Sequence, residues 1–362
     1  MKKLIAMLLA LVMVLSLAAC GASEPAPAPT EAPKAEAPAA PAAPAETEAP
    51  APTVEPITLN VAYMPNWGAL WAVLPAIEQG YFAEEGITVN LVEFADGPTE
   101  IAAMESGSID ISYIGQGAHR LCSTGNATIF LLQHQDDADA VIGFKSHGVE
   151  KLEDLKGKKV AYAPGTSSEE ILLLALESVG LTMDDIEAYA METTNMVTAA
   201  LSGSVDAVAA WSPYSLTILA NAKDATDICS NVDFASMASP GSWVVNPKWA
   251  DANEEAMVRF VRAMYKAMDY AAAATTDDAV AEEVAGYIAA VIASDAETVI
   301  AQRYDGSWLT SDAMMELLDS GKLVQIYADQ QANFIAGGKL ETSGNLDASE
   351  FVLTGVMEAA AK

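Results

Sequence analysis

Three cysteines in 362 residues cannot build a disulfide framework, and three histidines (His119, His134, His147) without metal-ligand spacing mark no metal site. With Cys20 in the leader, Cys122 and Cys229 can either pair or remain thiols; two separate buried thiols are expected. Basic residues are scarce, 18 Lys and Arg against 50 Asp and Glu, for a net charge of −32. A field of that sign repels nucleic acid and anionic lipid surfaces and keeps an acidic body monomeric. No apolar run after the leader is long enough to span a bilayer. No Ser-His-Asp, metal or phosphate-loop motif stands out, so neither catalytic residues nor a cofactor are expected.

What is present begins with Lys2 and Lys3, followed by an almost wholly apolar run over 4–17 that is too short and too early for a comfortable membrane span. Leu17-Ala18-Ala19-Cys20-Gly21 resembles a bacterial lipobox, which implies a signal peptide over 1–20, lipidation of Cys20 and anchoring outside the cytoplasm. Residues 21–56 are mostly Ala, Pro and Glu. They have too little apolar surface to offset their ordering entropy, so an extended tether is expected.

The body, 57–362, is written twice. Val61-Ala62-Tyr63-Met64-Pro65 recurs as Val160-Ala161-Tyr162-Ala163-Pro164, and Ser106-Gly107-Ser108-Ile109-Asp110 as Ser202-Gly203-Ser204-Val205-Asp206. Both pairs are offset by about a hundred residues, which indicates two similarly built units. Each reads strand, helix, strand, helix, strand: 57–63, 69–79, 88–93, 98–105 and 109–113, then 159–163, 168–179, 186–189, 195–201 and 205–210. That order means an α/β fold, with helices on parallel sheets. After Asp251 come amphipathic helices over 254–274, 277–292, 295–303 and 311–318, expected to pack on the first lobe. The chain should cross between lobes near Phe144 and Gly241, giving a two-strand hinge, with lobe 1 as 57–143 plus 241–362 and lobe 2 as 144–240. Ligands of open α/β sheets sit at the carboxyl ends of strands, which selects the loops 65–68, 114–117, 164–168 and 211–214.

Four motifs then resemble one family. Gln79-Gly80-Tyr81-Phe82-Ala83-Glu84-Glu85-Gly86-Ile87, Leu152-Glu153-Asp154-Leu155-Lys156-Gly157-Lys158-Lys159-Val160, Gly165-Thr166-Ser167 and Trp211-Ser212-Pro213-Tyr214 are similar to segments of ABC-importer solute-binding proteins of the nitrate, sulfonate, taurine and thiamine-pyrimidine type. The resemblance runs from about Leu59 to Trp249. It implies a two-lobed type II periplasmic binding fold that closes on its ligand, a permease and ATPase as partners, and a small organic solute. The taurine, sulfonate and nitrate class is the first expectation; a thiamine-precursor pyrimidine, another cationic or neutral heterocycle, or an amine is the alternative. Pyrimidine-precursor synthases share the fold but carry a cysteine cluster that this chain lacks, and a surface sensor would use the fold without transport.

The candidate contacts follow from the four loops. Gly165, Thr166, Ser167 and Ser168 can cap a helix start or hold ligand oxygens on its free N–H groups. Gly115, Gln116 and Gly117 form the other lobe's equivalent, with an amide that both donates and accepts. Asn66, Trp67, Trp211 and Tyr214 should wall the cleft and Trp243 its hinge side, while Trp71 reads as core. His134-Gln135-Asp136-Asp137 ends a strand near the first crossing and reads there as a solvated loop, whose carboxylates can nonetheless face a cation. Glu169 and Glu170 suit a helix start but repel an anion, and Arg120 is the one arginine near a cleft loop.

Overall fold

The computed structural model describes residues 55–234 and 239–362. Cys20, its lipidation, the signal peptide and nearly all of the tether fall outside them.

Among the described residues eleven strands form two sheets. Strands β1 (Ile57–Tyr63), β2 (Ile87–Glu93), β3 (Ile111–Ile114), β4 (Thr128–Asp136), β10 (Ser239–Val245) and β11 (Gly306–Trp308) make the first, ordered β11-β4-β10-β3-β1-β2. Strands β5 (Ala140–Phe144), β6 (Lys159–Tyr162), β7 (Glu187–Ala190), β8 (Ala207–Ala210) and β9 (Ala225–Ser230) make the second, ordered β7-β6-β8-β5-β9. In each sheet three parallel strands are followed by one antiparallel strand that has just crossed from the other sheet. The halves are thus matched in topology and knitted by exchange.

The outgoing crossing is earlier than Phe144. Residues 140–144 already pair with β8 and β9, so the chain leaves the first sheet at Asp136. Ala140-Val141-Ile142-Gly143-Phe144 is buried throughout, and such an apolar run reads alike for either sheet. On the return, Ser239 and Pro240 pair with β4 in the first sheet, just ahead of the expected Gly241.

The expected helix over 69–79 is two pieces, Trp67–Leu70 and Val73–Glu78. Pro75 has no N–H for the carbonyl one turn back, so the ladder breaks at Trp71 and Ala72. The helices Glu254–Ala271 and Asp278–Ile292 pack on the first sheet, with Met257, Phe260, Met264 and Val284 in one core with Phe130, Leu131 and Trp243. Lys322–Ala336 adds a helix to the same core through Leu323 and Tyr327. The second sheet carries smaller clusters on its two faces, around Val160 and Leu172 and around Val208 and Met196.

Candidate functional site: an interlobe cavity

Each repeated unit ends a parallel strand in a capped helix. Asn66 Oδ1 accepts from Ala69 N at 2.8 Å and starts the Trp67–Leu70 helix. Asp96 does the same for Gly97–Glu105, accepting from Thr99 N at 2.9 Å. In the second unit Gly165 takes φ +76°, open to glycine without strain, and Thr166 caps the Ser167–Ser178 helix through Ser168 N. These turns bring the helix starts to the carboxyl ends of both sheets.

The loops meet. A Cβ on Gly117, in the first lobe, would sit 2.2 Å from the Thr166 carbonyl carbon in the second. A Cβ on Gly165 would sit 2.6 Å from the Arg120 guanidinium. Lys339 Nζ reaches Glu169 Oε1 at 2.6 Å, and Ser212 Oγ donates to Asp305 Oδ2. The lobes are in contact around their rim, and a cavity of about 40 Å³ lies behind it. A water needs about 10–15 Å³ on such a measure, so this arrangement suits a compact occupant.

Of the residues expected at the site, Asn66, Gly115, Gln116, Thr166, Ser167 and Trp211 line this cavity. Gly117 and Gly165 stand at the seam of the lobes instead. Ser168 is fully buried; its hydroxyl accepts from Ala163 N and donates to Ala209 O, fastening the β6 turn to β8. Trp67 lies in the core against Trp308, its backbone N–H donating to Gln302 Oε1 at 3.0 Å. Tyr214 faces a separate outer groove with Pro65 and Pro213. Trp243 is fully buried beneath the cavity, donating through Nε1 to Gln133 Oε1 at 2.9 Å and meeting Tyr113 edge-on. It supports a wall residue rather than lining the cavity. Trp71 is core, as expected.

The stretch at the end of this strand is not solvated as expected: β4 runs to Asp136 between β10 and β11, so His134 is fully buried and both His134 and Asp136 line the cavity. Met64, Gly97, Pro98, Tyr113, Ala118, Ser239, Pro240 and Gly241 complete the wall. The apolar run 128–132 was the one signal that a strand led into His134, and the return crossing carried none.

Burial dominates the electrostatics. His134 is pushed down to about 3 and is neutral, its Nε2 3.3 Å from the Tyr113 hydroxyl. Burial first, then Asp139 nearby, raises Asp136 well above the carboxylate range. Asp139 rises to about 6 through burial, although the Ser167 and Ser239 hydroxyls donate to its two oxygens at 2.6 and 2.8 Å. Glu170, behind the Thr166 turn, is raised to about 7 by burial and Glu169, against the pull of Lys339 and Arg120. Cys122 and Cys229 are free, separate and buried, both thiols pushed up by burial.

Residues 69–277 match the model of the NMT1/THI5-like family. The chain belongs to that family. A Brucella abortus (strain 2308) protein provisionally named a binding protein is 27% identical over 298 residues, covering 82% of this chain and 90% of its own. A Bacillus subtilis (strain 168) protein provisionally named for binding aliphatic sulfonates is 30% identical over 207 residues, 55% of this chain and 62% of its own. The periplasmic nitrate-binding protein NrtA from Synechocystis PCC 6803 superposes with a TM-score of 0.71 at 14% identity, covering 85% of this chain and 89% of that one. The desulfurization enzyme DSZB also has the fold, with a TM-score of 0.59 at 16% identity over 84% of this chain and 98% of that one. The two-sheet α/β architecture is therefore that of the periplasmic binding proteins.

Proposed function

We propose that this family member is the extracytoplasmic solute-binding component of an ABC importer, tethered through Cys20 and capturing a small organic solute by lobe closure. One observation carries the reading: the cavity is walled from both lobes and sealed where Gly117 meets Thr166. A solute touching both walls stabilises the closed arrangement, which a permease can then recognise. The names of the relatives favour the taurine, sulfonate and nitrate class, with an amino-pyrimidine or amine as the second reading. The second is favoured by the wall itself, which carries the Asp136 carboxyl and, among the described residues, no Lys or Arg.

An enzymatic reading has less support. Cys122 is fully buried and lies outside the cavity, and a histidine held at about 3 is a poor general base at neutral pH.

Thermal melts of the purified chain with taurine, alkanesulfonates, nitrate, aminopyrimidines and amines test the proposal. A solute at a hundred times its dissociation constant adds about 2.7 kcal/mol, a shift of a few degrees. Small-angle scattering should show contraction with the same solute. Conversion of the solute to a product would refute pure capture. A Cys20→Ala chain should leave the membrane fraction.

A further inference from the structure

We infer that Asp136, with Gln116, sets the specificity of the cavity for a solute that presents a positively charged or N–H-rich end. The inference rests on the solute-capture reading above.

Among the described residues, no Lys or Arg lines the cavity, and Asp136 is the one ionisable carboxyl there. Its Oδ1 accepts from Ala138 N at 2.8 Å, while no donor among the described residues reaches Oδ2. The groups facing it add negative charge: Asp139, Asp305 and Asp137. Two of these are already served by hydroxyls, Asp139 by Ser167 and Ser239 and Asp305 by Ser212. Of these acids Asp136 is the one that lines the cavity, and its Oδ2 has no donor among the described residues.

The second observation is independent of these acids. Gln116 comes from the 3-10 turn Gln116–His119, lines the cavity, is only 2% exposed, and its Oε1 has no hydrogen-bond partner. A buried acceptor left unpaired is costly, so it marks a place where a donor is to arrive. Two acceptors lacking donors on one wall call for a ligand that brings them.

An anion without such a group meets the reverse. Nitrate or a plain alkanesulfonate would face Asp136 and its acidic neighbours with no Lys or Arg on the wall among the described residues. Arg120 packs on Gly165 at the rim, beside Glu170. A zwitterion or an amino-substituted heterocycle fits, its amino end at Asp136 and Gln116 and its remaining acceptors toward Asn66 and the helix start at Thr166.

The experiment is calorimetry on the full chain with two pairs that differ at the amino group, taurine against isethionate and 4-amino-2-methylpyrimidine against 2-methylpyrimidine, and one pair of opposite charge on the same propyl chain, propylamine against propanesulfonate. The amino member of at least one pair should bind, its partner at least tenfold more weakly. Asp136→Asn should weaken that probe roughly 10- to 100-fold, as expected for losing a hydrogen bond to a charged group, and Gln116→Leu should weaken it less. The same Asp136→Asn change should raise the melting temperature without ligand, because it removes a cavity-facing acid crowded by Asp139, Asp305 and Asp137; a merely structural aspartate would lower it. Tighter binding of isethionate, propanesulfonate or nitrate would overturn the inference and leave solute capture standing. So would unchanged affinity in Asp136→Asn. Silence toward every probe, anionic and amino alike, would overturn the capture reading on which the inference depends.

Discussion

Gly117→Ala probes closure more directly than any change to the cavity wall. The added Cβ would lie 2.2 Å from the Thr166 carbonyl carbon, 2.4 Å from its oxygen and 2.5 Å from its Cα. Carbon atoms prefer roughly 3.5–4 Å, so the loops must separate by more than about 1 Å. Neither side yields easily. Thr166 is held by its hydroxyl on Ala163 O at 2.8 Å and by its capping role, and Gly117 is buried in a short 3-10 turn. Overpacking of this kind costs about 1–3 kcal/mol. Because the clash belongs to the closed arrangement, the cost falls on closure and lowers apparent affinity by about 5- to 150-fold. Calorimetry with the solute found in the screen measures that loss, and scattering should show a smaller contraction on binding. Without ligand the lobes are free to part, so the melting temperature should move by no more than about 1–2 °C. Wild-type affinity in Gly117→Ala would refute the closure argument. A fall in ligand-free stability matching the loss of affinity would place the contact in the fold, not in the motion.

The Lys339–Glu169 pair bridges the lobes at 2.6 Å with Glu169 almost buried, so Lys339→Ala should weaken solute binding about 2- to 10-fold, and adding Glu169→Gln should cost little more; full additivity in calorimetry would deny the coupling. Glu170 is held at about 7, above its unfolded value, so its contribution to stability is complete below the ordinary glutamate range and is lost as pH rises toward 7. Glu170→Gln should therefore match the wild type near pH 4 and gain up to about 2–3 kcal/mol by pH 8 in denaturant titrations, and parallel pH profiles would contradict this. Cys122 and Cys229 should resist a thiol reagent in the native protein and both react after unfolding, with no disulfide in the intact mass of the non-reduced chain. Rapid native labelling of Cys122 would contradict its burial.

How much was legible in the sequence follows from where the signals were local. The repeated strand and helix motifs located β1, β3, β6 and β8 to within a few residues, because each pairs an alternating or apolar run with a glycine or cap at its end. The facing loops followed, and Gly117 against Thr166 is that expectation in geometry. Side-chain roles were harder. Whether Trp67 or Trp243 turns toward a cavity or a core depends on partners distant in sequence, Trp308 and Gln302 for one and Gln133 and Phe260 for the other. Ser168 looked like a ligand hydroxyl because a helix cap and a binding loop share residue types. The helix over 69–79 was read through Pro75, where the missing N–H should have moved the break upstream.

The largest gap between sequence and structure is at the hinge, and it bears on substrate class. The motifs that repeat lie at the parallel strands, and the separate motifs of the family likeness belong to binders of nitrate, sulfonates, taurine and thiamine-precursor pyrimidines alike. The antiparallel strands that cross between lobes carry no repeated motif, yet β4 brings Asp136 and His134 to the cavity and β10 brings Ser239, Pro240 and Gly241. A Cβ on Gly241 would sit 2.2 Å from the His134 ring and 2.5 Å from the Tyr113 hydroxyl, so these strands are fitted to one another at the cavity floor. A duplicated α/β frame thus supplies the facing loops common to both halves, while the crossing strands, free of that duplication, supply side chains of the floor. Two proteins can then share the frame and the Gly-Thr-Ser turn and still take solutes of opposite charge. For that reason the residue at position 136 should carry more information about the ligand than the loops that carry the family likeness.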